Sequence, residues 1–89
     1  MKEPYLEITY RHGRPIAADL YLPREAWDKS QRTTKGPGGL VIDYTRGGKP
    51  IGIEITAPSK ATLSAVNRVL RELAFPPITQ ADLAPLRAA

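Results

Sequence analysis

The residues best suited to chemistry are four carboxylates, Glu7, Asp19, Asp43 and Glu54, each at an alternating position within a β-rich run. Folding the first two runs into a hairpin sets Glu7 opposite Asp19, with Asp43 and Glu54 pointing to the same side. Two close carboxylates can work as acid and base, one with a raised pKa, or share a divalent cation. Opposed like charges also destabilise a sheet unless a basic side chain, an ion or a partner's basic surface compensates. No nucleophile, oxyanion donor or histidine is spaced to join them, and the only histidine, His12, falls in a turn. With no cysteine, the chain has no disulfide, no thiolate zinc site and no cysteine nucleophile. The expectation is a non-enzymatic chain with no cofactor and no metal.

A second group is basic. Thirteen lysines and arginines against nine acids give a net charge of +4, a mild preference for an acidic partner such as nucleic acid. Arg11, Arg14, Arg46, Lys49, Arg68 and Arg71 would share one rim if both tight turns lay at the same end of a sheet, and such a rim could contact phosphate. Neither a helix-turn-helix nor an aromatic stacking ladder accompanies them.

The elements that must hold these groups follow from alternation. In the first run Leu6, Ile8 and Tyr10 share one face. In the second the inward set is Ile16, Ala18, Leu20 and Leu22. Leu40, Ile42 and Tyr44, then Ile51, Ile53 and Ile55, complete the dry side. Strands are expected over 5–10, 16–22, 40–46 and 49–56. Gly13 suits one tight turn, and Gly47-Gly48 suits a primed two-residue turn. The resulting register sets Tyr10 against Ile16, Ile8 against Ala18 and Leu6 against Leu20. In the second hairpin it sets Arg46 against Lys49, Tyr44 against Ile51, Ile42 against Ile53 and Leu40 against Ile55. A slip of one residue would turn either dry face to water.

Residues 24–39 read as a polar, mobile loop pinned to the core by Trp27. A helix is expected over 60–74 with Ser59 as N-cap. Leu63, Val66, Leu70 and Leu73 form its stripe, and Phe75-Pro76-Pro77 stops it. Thr79 caps one further turn over 79–86. The expected fold is α+β: one 89-residue domain with a four-stranded antiparallel β-meander of two hairpins, a C-terminal helix on one face and a short extra helical turn. The first residues lack the apolar run of a signal peptide. No stretch reaches the roughly 20 apolar residues of a membrane helix, so a cytoplasmic chain without a membrane partner is expected.

The run Leu40-Val41-Ile42-Asp43-Tyr44, a glycine turn, Ile51-Gly52-Ile53-Glu54-Ile55 and Ala57-Pro58-Ser59-Lys60 resembles the bacterial family called domain of unknown function 2283, as does the Leu20-Tyr21-Leu22 strand. The family's acidic residue two before the Leu-Tyr pair is replaced here by Ala18, with Asp19 displaced by one. Loop 24–39 and the tail 78–86 extend beyond its pattern. The resemblance implies a small meander-plus-helix fold, small partners of toxin–antitoxin type and no defined activity.

The outer sheet face carries Tyr5, Ala17, Tyr21 and Val41 among its acids, more apolar surface than a fully wet face requires. A copy of the chain packing there, or along an exposed strand edge, would use it. The expectation is thus an interaction module, homo-oligomeric, contacting protein through Tyr5, Glu7, Asp19, Tyr21 and Val41. The alternative is a nucleic-acid-associated or antitoxin-like regulator that uses the basic rim.

Overall fold

A computed structural model describes residues 3–87. The fold is α+β, with five antiparallel strands: β1 (Tyr5–Arg11), β2 (Arg14–Tyr21), β3 (Arg32–Lys35), β4 (Leu40–Tyr44) and β5 (Pro50–Ile55). Their order in the sheet is β1-β2-β5-β4-β3. This corrects the four-stranded meander: β2 pairs with β5, and a fifth strand forms inside the segment expected to be a mobile loop. Because β2 runs beside β5 rather than β4, the two tight turns lie at opposite ends of the sheet.

Both hairpins follow the alternation through their middles and depart from it near the turn. In the first, Leu6 faces Leu20 and Ile8 faces Ala18, but a bulge sets Tyr10 against Pro15. His12 and Gly13 both have positive φ (51° and 77°), as a two-residue type I′ turn demands. That turn fixes Arg11 against Arg14, one residue out of step with the core register. The bulge absorbs the difference and leaves Ile16 46% exposed instead of inward. In the second, Ile42 faces Ile53 and Leu40 faces Ile55, while Tyr44 meets Pro50 rather than Ile51. The turn is not the expected two-residue Gly-Gly. Thr45 N–H bonds to the Lys49 carbonyl, closing a loop of three residues with Gly48 at φ 92°. The extra residue here is Ile51, which is fully buried.

β3 is polar and exposed at every position, so no hydrophobic period announces it. Pairing with β4 makes it a strand. It sets Thr34 against Ile42 and Lys35 against Val41, and Arg32 lies 5.1 Å from the centroid of the Tyr44 ring.

The helices cover one face only. A 3-10 turn at Pro58–Lys60 precedes α1 (Leu63–Glu72), so the cap is Thr62, not Ser59. The Thr62 hydroxyl accepts from Ala65 N–H at 3.1 Å. The helix ends with Ala74 in the left-handed region (φ 63°), Ala74 N–H on the Arg71 carbonyl and Phe75 N–H on the Leu70 carbonyl. This is a Schellman closure followed by two prolines. Val66, Val69 and Leu70 pack on Leu20, Ile42, Ile53 and Ile55 in the core. Each such aliphatic side chain contributes about 1.5–3 kcal/mol by leaving water. A second helical turn, α2 (Gln80–Leu83), is closed by a capping box between Thr79 and Asp82. Asn67 on α1 holds its approach, donating to the Ile78 carbonyl (3.0 Å) and accepting from Ile78 N–H (2.8 Å), which brings Leu83 and Leu86 into the core. No helix of the described residues is long and apolar enough to cross a membrane.

Candidate functional site: the outer face of the sheet

With α1 and α2 on one side, the odd–even alternation turns a second set of residues to the other. One row runs Glu7, Asp19, Glu54, Val41, Lys35 across all five strands, and the next runs Tyr5, Tyr21, Gly52, Asp43, Thr33. The expected opposition of Glu7 and Asp19 is present, and the β2–β5 pairing adds Glu54 directly beyond Asp19. Three acids therefore stand side by side, with Asp43 diagonal to Glu54.

This crowding has an electrostatic cost. A side-chain hydrogen bond donated to Asp43, then partial burial, then the charges of Asp43 and Asp19 push Glu54 up to about 7. Glu54 thus keeps its proton into the neutral range, and its hydroxyl donates to Asp43. Asp19 is also raised, first by burial and then by Asp43 and Glu7. Among the described residues no salt bridge reaches either group. Asp43 is further tied by the Ser30 hydroxyl, which donates to its Oδ1 at 3.0 Å. Among the described residues no three acids or histidines are grouped so as to hold a metal ion.

The aromatic half of the face is ordered. Tyr5 and Tyr21 are cross-strand partners whose rings stack at 4.8 Å between centroids. The Tyr21 hydroxyl donates to Glu7 Oε1 at 3.3 Å. Burial, followed by the nearby Glu7 charge, raises the Tyr21 phenol. Arg24, which sequence reasoning left in the loop, lies 5.2 Å from the Tyr21 ring centroid. Tyr5 remains 49% exposed, and Ala17, Tyr21 and Val41 are half-buried.

No family model, curated protein or solved structure matches the chain. The Gly-Ile-Glu-Ile run that carries the sequence resemblance is the central strand, β5. Its Gly52 leaves room between Tyr21 and Asp43 where a Cβ would stand 3.7 Å from Asp43 Oδ2.

The expected basic rim does not assemble. Arg11, His12 and Arg14 sit at the β1–β2 turn, where His12 and Arg14 line a depression with Pro58 and Ser59. Arg46 and Lys49 occupy the opposite end, because the two turns point in opposite directions. Lys49 is paired with Asp28, whose carboxyl it holds below the usual range together with Glu25 N–H. Arg68 pairs with Glu72 one turn on, at 3.4 Å, and Arg71 stands in the last turn of α1, where it complements the helix C-terminus. Trp27 is not a core pin but 75% exposed, and it lines a shallow depression with Lys29, Gln31 and Arg46.

Proposed function

We propose that the chain is a non-enzymatic protein-binding module that self-associates and meets its contacts through the outer face of its sheet. The supporting observation is the one-sided cover. Both helices pack on a single face, and the other carries a stacked tyrosine pair beside three aligned acids, of which Asp19 and Glu54 have raised pKa values. A partner surface bearing arginine or lysine would relieve that row, and aromatic side chains favour protein contacts. The resemblance to the domain of unknown function 2283 family stays part of this reading, and it supports the sheet-and-helix fold without naming an activity.

Hydroxyl-radical footprinting tests it, in dilute protein, in concentrated protein and with an arginine-rich model peptide. Oxidation of Tyr21 and Val41 is expected to fall on concentration or on adding peptide. It should recover in a Glu7→Gln/Asp19→Asn variant titrated with the peptide. Unchanged oxidation, together with a monomer at every concentration by light scattering, overturns the reading.

A second reading is a nucleic-acid-associated or antitoxin-like regulator. The split rim removes most of its support, and what favours it now is the exposed indole of Trp27 beside Lys29 and Arg46. A base stacks on such a ring while cations take the phosphates. As the only tryptophan, its fluorescence reports directly. Salt-sensitive quenching by a single-stranded oligonucleotide supports this reading, and unaltered emission ends it.

A further inference from the structure

We infer that a second copy of the chain pairs antiparallel along the free edge of β1, on a two-fold axis at Ile8, joining two five-stranded sheets into one of ten. This rests on the self-association proposed above and specifies where it occurs.

β1 ends the sheet on one side, and its backbone shows which groups are unused. Leu22 N–H donates to the Ile51 carbonyl of β5 at 3.1 Å. Strand alternation then points the backbone groups of Ala18 and Leu20 toward β5, and those of Ala17, Asp19 and Tyr21 toward β1. Their partners Thr9, Glu7 and Tyr5 are thereby engaged with β2. The N–H and C=O groups of Leu6, Ile8 and Tyr10 point out of the sheet along a seven-residue strand that contains no proline, lysine or bulged residue. Such an edge is a template for another strand. The opposite edge is defended: β3 has four residues, both ends are basic, and Gly36-Pro37 follows.

Exposed apolar surface gathers at the same edge. Of the four large hydrophobic residues left most open among the described residues, Tyr5, Tyr10 and Ile16 belong to the β1–β2 hairpin. Leu6 and Ile8 are only half-buried although they pack against the core.

The strand is complementary to itself in one register. An axis at Ile8 overlaps all of Tyr5–Arg11 and makes Leu6 meet the partner's Tyr10, Ile8 meet the partner's Ile8 and Glu7 meet the partner's Thr9. The partner's Arg11 falls opposite Tyr5 and diagonal to Glu7, within reach of both. An axis at Glu7 would oppose two glutamates. The Ile8 axis instead sets the partner's Arg11 at the Glu7 end of the acid row, and it makes the two outer faces continuous.

Light scattering with two variants tests this. The wild type is expected at twice the 9.8 kDa chain mass at high concentration. Ile8→Pro is expected at the monomer mass with unchanged circular dichroism, since that N–H makes no bond inside the chain. Glu7→Cys and Thr9→Cys chains, mixed and mildly oxidised, are expected to form a disulfide-linked dimer, because facing residues of this kind have Cα atoms about 4.5 Å apart. Neither variant alone should form one with comparable yield. A monomeric wild type overturns both the inference and self-association. A dimer that survives Ile8→Pro and gives no cross-link overturns edge pairing alone and leaves the outer-face reading standing. Where Ile8→Pro does not fold, the cysteine mixture decides.

Discussion

Glu54→Gln should stabilise the protein at alkaline pH and leave it unchanged in mild acid. The folded chain holds the Glu54 proton more tightly than the unfolded chain, because the group rises from an ordinary 4.5 to about 7. Stability from this site is therefore complete below about pH 4.5 and is lost as pH climbs through about 7. At about 1.4 kcal/mol per tenfold change in proton affinity, the ceiling is about 3.4 kcal/mol. Glu54 is partly open to water, so screening brings the working value to about 1 kcal/mol. Glutamine does not titrate, and its amide can donate to Asp43 at every pH. Urea denaturation of both proteins should give a variant about 1 kcal/mol more stable at pH 8, with a Tm about 4–8 °C higher for a chain of this size. At pH 5 the two curves should nearly coincide. A variant no more stable at pH 8, or an equal gain at both pH values, would refute the carboxylate crowding on the outer face.

Three further outcomes follow from local geometry. Ala74→Gly should raise stability by about 0.5–1 kcal/mol, since Ala74 closes α1 at φ 63°, where an L side chain is strained; thermal melting measures it. Asn67→Ala removes both bonds to Ile78 and should cost about 1–3 kcal/mol, with faster hydrogen exchange at Ile78 and across residues 79–83. Trp27→Ala should change stability by less than about 0.5 kcal/mol in urea, because the ring is already in water; a core role would cost about 3–5.

The alternating runs made the middles of both hairpins legible. Leu6, Ile8, Leu40 and Ile42 stand opposite the residues that alternation assigns them. What remained hidden was whatever alternation does not encode. Ile16 and Ile51 sit at bulges forced by turn geometry, so their patterned neighbours misstate their partners. The β3 run Arg32-Thr33-Thr34-Lys35 has no dry face, and its strand form comes from backbone bonding to β4. The strand order could not be read either, because β4 and β5 carry equally apolar inward sets, and either would fit beside β2. That choice scattered the basic rim and placed Glu54 beside Asp19. Trp27 invited a core role by residue type, but residues 24–31 hold their place through polar contacts instead, Ser30 to Asp43 and Asp28 to Lys49.

The middle of the sheet is occupied by its last strand in chain order. During synthesis the N-terminal hairpin and β3–β4 therefore have no common neighbour until residues 50–55 leave the ribosome. Until then the inner edge of β2 stays open to wrong pairings. Closing it requires a contact between Ala18 and Ile55 that spans well over a third of the chain. A stop codon just before β5 should release one chain carrying two unjoined, sticky hairpins rather than a smaller version of the fold, and assembly of the full chain should be slow for its length.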